Sequence, residues 1–372
     1  MTNRERLVGT LIGRPVDRAP LPWWMGFSPW GETLERWRRE SGDPSLDVRA
    51  RLGFEPFFAA VPAEYGPFPR FERRVLEETA EHATFTDWRG ITVRQRKGSS
   101  DMPEFVDHPV KGPDDWKRYK EERLLPRVEE RLAALPEWLA RVTPETAVQV
   151  GVFPWGVFGT ARDLLGAEEL LVGFYSEPEM VRDIMETNVS LWLALYERIA
   201  DHVRIDHIHV WEDMSGRQGS LISPAMAEDF MMPQYDRIAD FARRRGVPVV
   251  SVDSDGQVDE LVPLMMRHGV NAFMPFEVQA GSDVEEFGRR YPGIGLFGGL
   301  DKRALAGGRA EMHRELDRAE RLLARGRWVP GFDHLIPPEA SWENFSWFVG
   351  ELRKLVMQAA GAAPATGAAS TS

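Results

Sequence analysis

Short apolar, β-branched or aromatic runs alternate with longer amphipathic segments along most of the chain. Eight such runs stand out, at residues 20–26, 54–61, 147–153, 206–211, 247–252, 270–275, 294–298 and 327–332. Runs of this length between helical segments are the pattern of parallel strands joined by crossover helices, and eight of them predict an α/β fold, a (β/α)8 TIM barrel. The intervening helices are legible too. In 179–200 the apolar residues Val181, Ile184, Leu191, Leu195 and Ile199 recur at helical spacing, which predicts one face packed on the sheet. Ser223 before Pro224 reads as an N-cap and a first helical residue, opening a helix that runs toward Arg244. The stretch between the second and third runs is too long for one crossover: 83–97 alternates like a hairpin and 114–139 is helical in pattern. An insertion between the second and third strands, without domain status of its own, is therefore expected. Residues 359–372, AAGAAPATGAASTS, have no period and predict a flexible tail, which leaves 1–358 as one barrel domain.

Composition narrows the function classes. A net charge of -12 argues against nucleic acid and anionic membrane surfaces, which are held by clustered Lys and Arg. The start, MTNRERLVGTLIGR, lacks a signal core, and no later run approaches a membrane span, so a cytoplasmic location is expected. The absence of cysteine removes disulfides, thiolate zinc sites, cysteine nucleophiles and iron–sulfur clusters from consideration. No phosphate-binding loop is present, and GLFGG at 295–299 reads as a strand running into a tight turn.

Six segments taken in order resemble the uroporphyrinogen decarboxylase superfamily, which includes that haem-pathway enzyme and corrinoid-linked methyltransferases. They are RERLVGTLIGRPVDRAPLPWW, GTARDLLGAEELL, WEDMSGRQGSLISP, SVDSDGQVDEL, GGLDKRAL and GRWVPGFDHLIPPEASWENF. The resemblance implies a (β/α)8 barrel, a small-molecule substrate and, on the methyltransferase side, a corrinoid or folate methyl carrier and a corrinoid protein as partner; it leaves room for a homodimer. It also shows departures. Where the decarboxylases carry an arginine-rich segment that grips porphyrinogen carboxylates, this chain reads Trp24-Met25-Gly26-Phe27-Ser28. Where the zinc methyltransferases carry a His-x-Cys pair, it has Asp253 and Asp255. His334, or Asp333 beside it, falls at the last active-site position.

Barrel enzymes place their chemistry just after the strands. Here those positions are acidic: Glu212 and Asp213, then Asp253 and Asp255, Glu277, Asp301 with Lys302, and Asp333 with His334. Crowded carboxylates oppose one another's ionisation, so a bound cation, a basic partner (Lys302, Arg162 or Arg217) or retained protons must compensate. Asp253, Asp255, Asp333 and His334 are the candidate catalytic residues, and Asp253, Asp255 and His334 a candidate set of oxygen and imidazole ligands for a divalent metal. Trp24, Trp155, Arg162, Glu212, Asp213, Arg217, Glu277, Asp301 and Lys302 are candidates for contact with the substrate; Phe153 and Phe332 are further aromatics near strand ends. His207 and His209 alternate onto one face with Trp211 and Asp213, and a hydrogen-bonded structural role is expected for both. Three functions remain open at this point: methyl transfer, decarboxylation of a carboxylated small molecule, and a binding barrel without catalysis.

Overall fold

The computed structural model of the chain describes residues 1–99 and 102–362. Seven parallel strands form one sheet in chain order: β1 (Ala59–Ala60), β2 (Val148–Val150), β3 (His207–Trp211), β4 (Val249–Asp253), β5 (Ala272–Met274), β6 (Gly295–Phe297) and β7 (Trp328–Val329). Each falls within a predicted run or overlaps its end. The expected first strand at 20–26 is not one. It survives as a single parallel bridge, Pro22 to Glu55, followed by a short 3-10 turn at Met25–Phe27. Pro20 and Pro22 lack the backbone N–H that a ladder needs, so only the amides of Leu21 and Trp23 are free to bond, to the Glu55 side chain and backbone respectively. The same segment nevertheless touches the far edge of the sheet, where Phe332 N–H donates to the Gly26 carbonyl and Pro29 bridges Ile336. It therefore bonds to residues beside both edges of the sheet.

Helices cover the sheet as the periodicity required. All five apolar positions named in 179–200 are buried within the helix Pro178–Ala200. The Ser223 hydroxyl accepts from Met226 N–H, as an N-cap should, but the helix it opens stops at Phe230, and a second begins at Met232 with Pro233 in its first turn. Residues 82–96 do form the hairpin read from alternation, as the two inner strands of a four-stranded antiparallel sheet whose outer strands are Arg74–Glu78 and Glu104–Asp107. The helical stretch at 114–139 is three short helices, Pro113–Arg123, Val128–Arg131 and Leu135–Leu139, with Pro126 in the first gap. The last helix, Trp342–Ala362, continues past the boundary expected at 358; the remainder of the expected tail lies outside the described residues.

The concave side of the curled sheet is filled by aromatic rings. Trp24 is buried, donates its indole N–H to the Pro330 carbonyl, and packs on Phe57 and Phe297 at 5.9 and 5.8 Å. Its ring fits because glycines surround it: a Cβ on Gly331 would come within 2.3 Å of it, and one on Gly298, whose φ is +74°, within 3.0 Å. His207 lies on the other side of Phe297, stacked at 6.2 Å. This filling sets the floor of the mouth above it.

Candidate functional site

Alternation along paired strands builds the site. Ser251 pairs with His209 and Asp253 with Trp211 in the β3–β4 ladder, so His207, His209, Ser251 and Asp253 share one face at rising height toward the strand ends. At the bottom, His207 is fully committed. The Gln149 amide nitrogen donates to the Gly151 carbonyl, which leaves its oxygen to accept from His207 Nδ1 at 2.9 Å; His207 Nε2 then accepts from the Ser251 hydroxyl at 2.7 Å. Burial holds this ring uncharged, its pKa well below the ordinary value. The structural role expected for His207 is what the geometry gives.

His209, one step higher, is different. It is 8% exposed and, among the described residues, its ring makes no hydrogen bond; its Nε2 lies 3.6 Å from the Asp253 carboxyl. Burial brings its pKa down to about 4. The Asp253 and Asp255 side chains accept no hydrogen bonds either, and His334 Nε2 stands 3.8 Å from Asp255. Burial, then the neighbouring charges of Asp255 and Asp213, pushes the Asp253 carboxyl well above the usual carboxylate range. Burial, with Asp213 and Glu277 next, pushes Asp255 up to about 7. His334, stacked on Trp30 at 6.1 Å, is held down to about 4 by burial and by Lys302. The mouth thus carries one carboxyl whose burial favours its protonated form, a second poised near 7, and two imidazoles that burial keeps uncharged at neutral pH.

The other predicted residues divide. Asp213 joins the cluster, bent inward by a left-handed backbone (φ 41°) and paired with Arg162 at 2.9 Å. Arg162 also donates to the Asp213 carbonyl and lies over the Trp211 ring at 5.2 Å. Glu277 is half-buried beside Asp255, without an ion pair among the described residues. Asp333 is fully buried and accepts from the backbone N–H of Val278 and Lys302, with the Lys302 ammonium 3.9 Å away. Asp301 turns outward to a two-pronged pair with Arg303. Arg217 is exposed in the turn between Ser215–Gly216 and Gly219–Ser220. Trp24 lies below the cluster, and Trp155 is buried against Gly66 and Trp88.

Glu212 does not face the mouth at all. It is fully buried at the start of the helix Val157–Leu165, accepting from the N–H groups of Val157, Phe158 and Gly159 and from the Tyr235 hydroxyl. A carboxylate there satisfies donors that no helical carbonyl can reach and complements the helix dipole. The close fit needs Gly156, whose Cβ would come within 1.7 Å of the Trp211 carbonyl. Glu212 is thus an anchor for the element that carries Arg162.

Among the described residues no three His, Asp or Glu side chains converge closely enough to hold a metal ion. Asp255 lies 3.8 Å from His334 and close enough to Asp253 to raise it, and Asp253 lies 3.6 Å from His209. Sequence reasoning missed Trp30, which lies in an aperiodic stretch, and gave His209 the fate of His207 because alternation treats the two alike.

The raised carboxyls carry a stability signature. Asp255 holds its proton to about 7 when folded, against 3.8 ordinarily, so between those values the folded chain binds more protons than the unfolded one. Its contribution is fully present below about 3.8 and is lost as pH rises through about 7. Asp255→Asn is therefore expected to melt with the parent at pH near 4 and above it at pH near 8, by on the order of 1 kcal/mol after allowance for solvent at its exposed edge. Thermal unfolding at the two pH values checks this; a variant less stable than the parent at the higher pH would remove the premise.

Comparison with known proteins agrees with this architecture. No curated protein sequence matches the chain. Among solved structures, a methyltransferase from Methanosarcina mazei shares the fold, with a TM-score of 0.60 over 95% of this chain and 99% of that one at 16% identity. The family model for uroporphyrinogen decarboxylase (URO-D) matches residues 86–355, which include β2 to β7 and every member of the carboxyl cluster. The chain belongs to the uroporphyrinogen decarboxylase family.

Proposed function

We propose that this chain is a small-molecule methyltransferase in which Asp253 and Asp255 form the acid centre. The observation that carries this reading is the pair itself: two carboxyls without hydrogen-bond partners among the described residues, Asp253 raised by burial and by Asp255 and Asp255 raised by burial and by Asp213 and Glu277, at the end of β4 and beside two uncharged imidazoles. In such a step the bond from methyl carbon to the departing atom breaks with its electron pair staying on that atom. The methyl group joins the nucleophilic acceptor, and the carboxyl proton passes to the departing atom. His334, near Asp255 at 3.8 Å, is placed to return a proton from solvent. A corrinoid or folate carrier would supply the nucleophilic acceptor as a co-substrate, the corrinoid one on a partner protein. The chain has no thiolate to hold the zinc that activates a thiol acceptor.

A cleft of about 510 Å³ reaches the cluster at Asp213 and Arg162 from between the antiparallel sheet and the helix Val157–Leu165, which is room for a small ligand. We read segment 20–29 with the seven strands as a closed (β/α)8 barrel occupying 1–358, with 74–107 inserted beside its mouth. Decarboxylation is the second reading, favoured by Lys302, whose ammonium borders Asp333 and lowers Asp255 and so could receive a substrate carboxylate. Uroporphyrinogen is not the expected substrate on either reading, since the turn at Met25–Phe27 brings no arginine to the mouth. The test is incubation with methylated donors and reduced cobalamin or tetrahydrofolate. Methylated carrier should appear in step with demethylated donor and vanish in Asp255→Asn; carbon dioxide release without methyl transfer would establish the lyase instead.

A further inference from the structure

A second cleft lies at the opposite end of the strands from the mouth. It encloses about 350 Å³ between the end of the helix Asn3–Ile12 and the residues that lead into β6 and β7, and Arg14, Arg325 and Arg327 line it. No aspartate or glutamate is among its lining residues. Arg325 donates to the carbonyls of Gly288, Tyr291, Ile294 and Gly326, and Arg327 to those of Leu11 and Gly293 through Nη1 alone. Neither has a carboxylate partner among the described residues. Capping the helices Asn3–Ile12 and Val284–Arg290 accounts for where the two guanidiniums lie, but a helix end brings only roughly half a negative charge, and three positive charges meet here. Burial, then the charge of Arg327, lowers the pKa of Arg325, as expected of a cation left uncancelled.

Free donors border the same space. Gly13, with φ +70°, turns the chain out of the first helix, and a Cβ there would collide with the Arg327 guanidinium, so Arg14 leaves the turn beside it. The Arg14 side chain has no hydrogen bond or ion pair among the described residues, and neither have Nε and Nη2 of Arg327. Thr10 lines the cleft as well. It is 5% exposed, and its hydroxyl is closed off without a hydrogen-bond partner. A buried hydroxyl left so is costly, and an oxygen bound in the cleft would supply the acceptor it lacks.

We propose that this cleft binds a phosphate dianion, either the free ion or the phosphate group of a small ester, with the open edge of Arg327 forking two of its oxygens and Arg14 pairing with a third. A guanidinium edge matches two oxygens of a tetrahedral anion, and a dianion cancels more of the gathered charge than a carboxylate can. The site is separate from the carboxyl cluster and stands whichever reaction the mouth performs.

The experiment is titration calorimetry of the intact protein at low salt and about pH 8, where phosphate is a dianion, with inorganic phosphate, glycerol phosphate, acetate and chloride in turn. Saturable binding of phosphate in the millimolar range or tighter is expected, with acetate and chloride weaker by at least about tenfold. Glycerol phosphate binding more tightly than phosphate would support the site and mark an ester as its ligand; equal or weaker binding would support it and mark the free ion. Arg14→Gln and Arg327→Gln should each weaken phosphate by about tenfold, with cooperative unfolding to show that the fold is intact. Arg14 is exposed and has no bond among the described residues to lose, so its variant keeps the test decisive if Arg327→Gln fails to fold. No saturable phosphate binding below about 10 mM, chloride or acetate binding as tightly, or an affinity unmoved in Arg14→Gln would overturn the proposal.

Discussion

Asp253→Asn is expected to lower methyl transfer by about 10²- to 10⁴-fold, the range in which a positioned acid acts. Asparagine keeps the size and the buried place of the side chain at the end of β4 but has no proton to give at neutral pH. Because burial, then Asp255 and Asp213, disfavours charge on the parent carboxyl, an uncharged amide of the same size sits there at no electrostatic cost, so the melting temperature should hold or rise. This pairing of lost activity with kept stability separates a chemical role from a structural one. Single-turnover rates at saturating donor read it, and a rate within about threefold of the parent would take Asp253 out of the chemistry, since a lost acid costs far more.

Glu212→Ala should do the opposite: it should cost about 3–5 kcal/mol of stability. The substitution strands three helix N–H donors and the Tyr235 hydroxyl in a space closed to water. It also frees the start of Val157–Leu165, and with it the Arg162 that pairs with Asp213, so activity should fall even where the variant remains folded. Urea unfolding measures the first effect. A loss below about 1 kcal/mol would mean that water reaches those donors, because an exposed cap is worth no more than that.

These two carboxylates show where reading the sequence succeeds and where it stops. Both follow a strand, and the sequence marks both as mouth residues. Asp253 is inward because strand alternation, a local rule, decides its direction. Glu212 is captured by a helix whose first residue lies 55 positions earlier, a pairing that only the docked chain reveals. His207 and His209 divide in the same way: Gln149 and Ser251, on two neighbouring strands, claim the first and leave the second open. By contrast, the outward turn of Asp301 was within reach of the sequence, since Arg303 stands two residues away. The six strands from β2 to β7 were legible because they are short runs dominated by apolar residues and buried at nearly every position. The N-terminal ones were blurred by proline, at 20 and 22 in the segment that is no strand and at 56 and 62 on either side of β1. The acidic mouth itself could be read directly, because carboxylates at successive strand ends need no long-range information to be noticed.

The central claim is that burial and the neighbouring carboxyls raise Asp253 and Asp255 above the usual carboxylate range, and infrared difference spectroscopy tests it without any substrate. Spectra of the intact protein collected from pH 4 to 9 should show protonated carboxyl absorption that persists to neutrality. One component should titrate at about 7, be lost in Asp255→Asn and remain in Glu277→Gln. Complete ionisation of every carboxyl by about pH 5.5, as in solvated side chains, would contradict the acid centre and everything built on it.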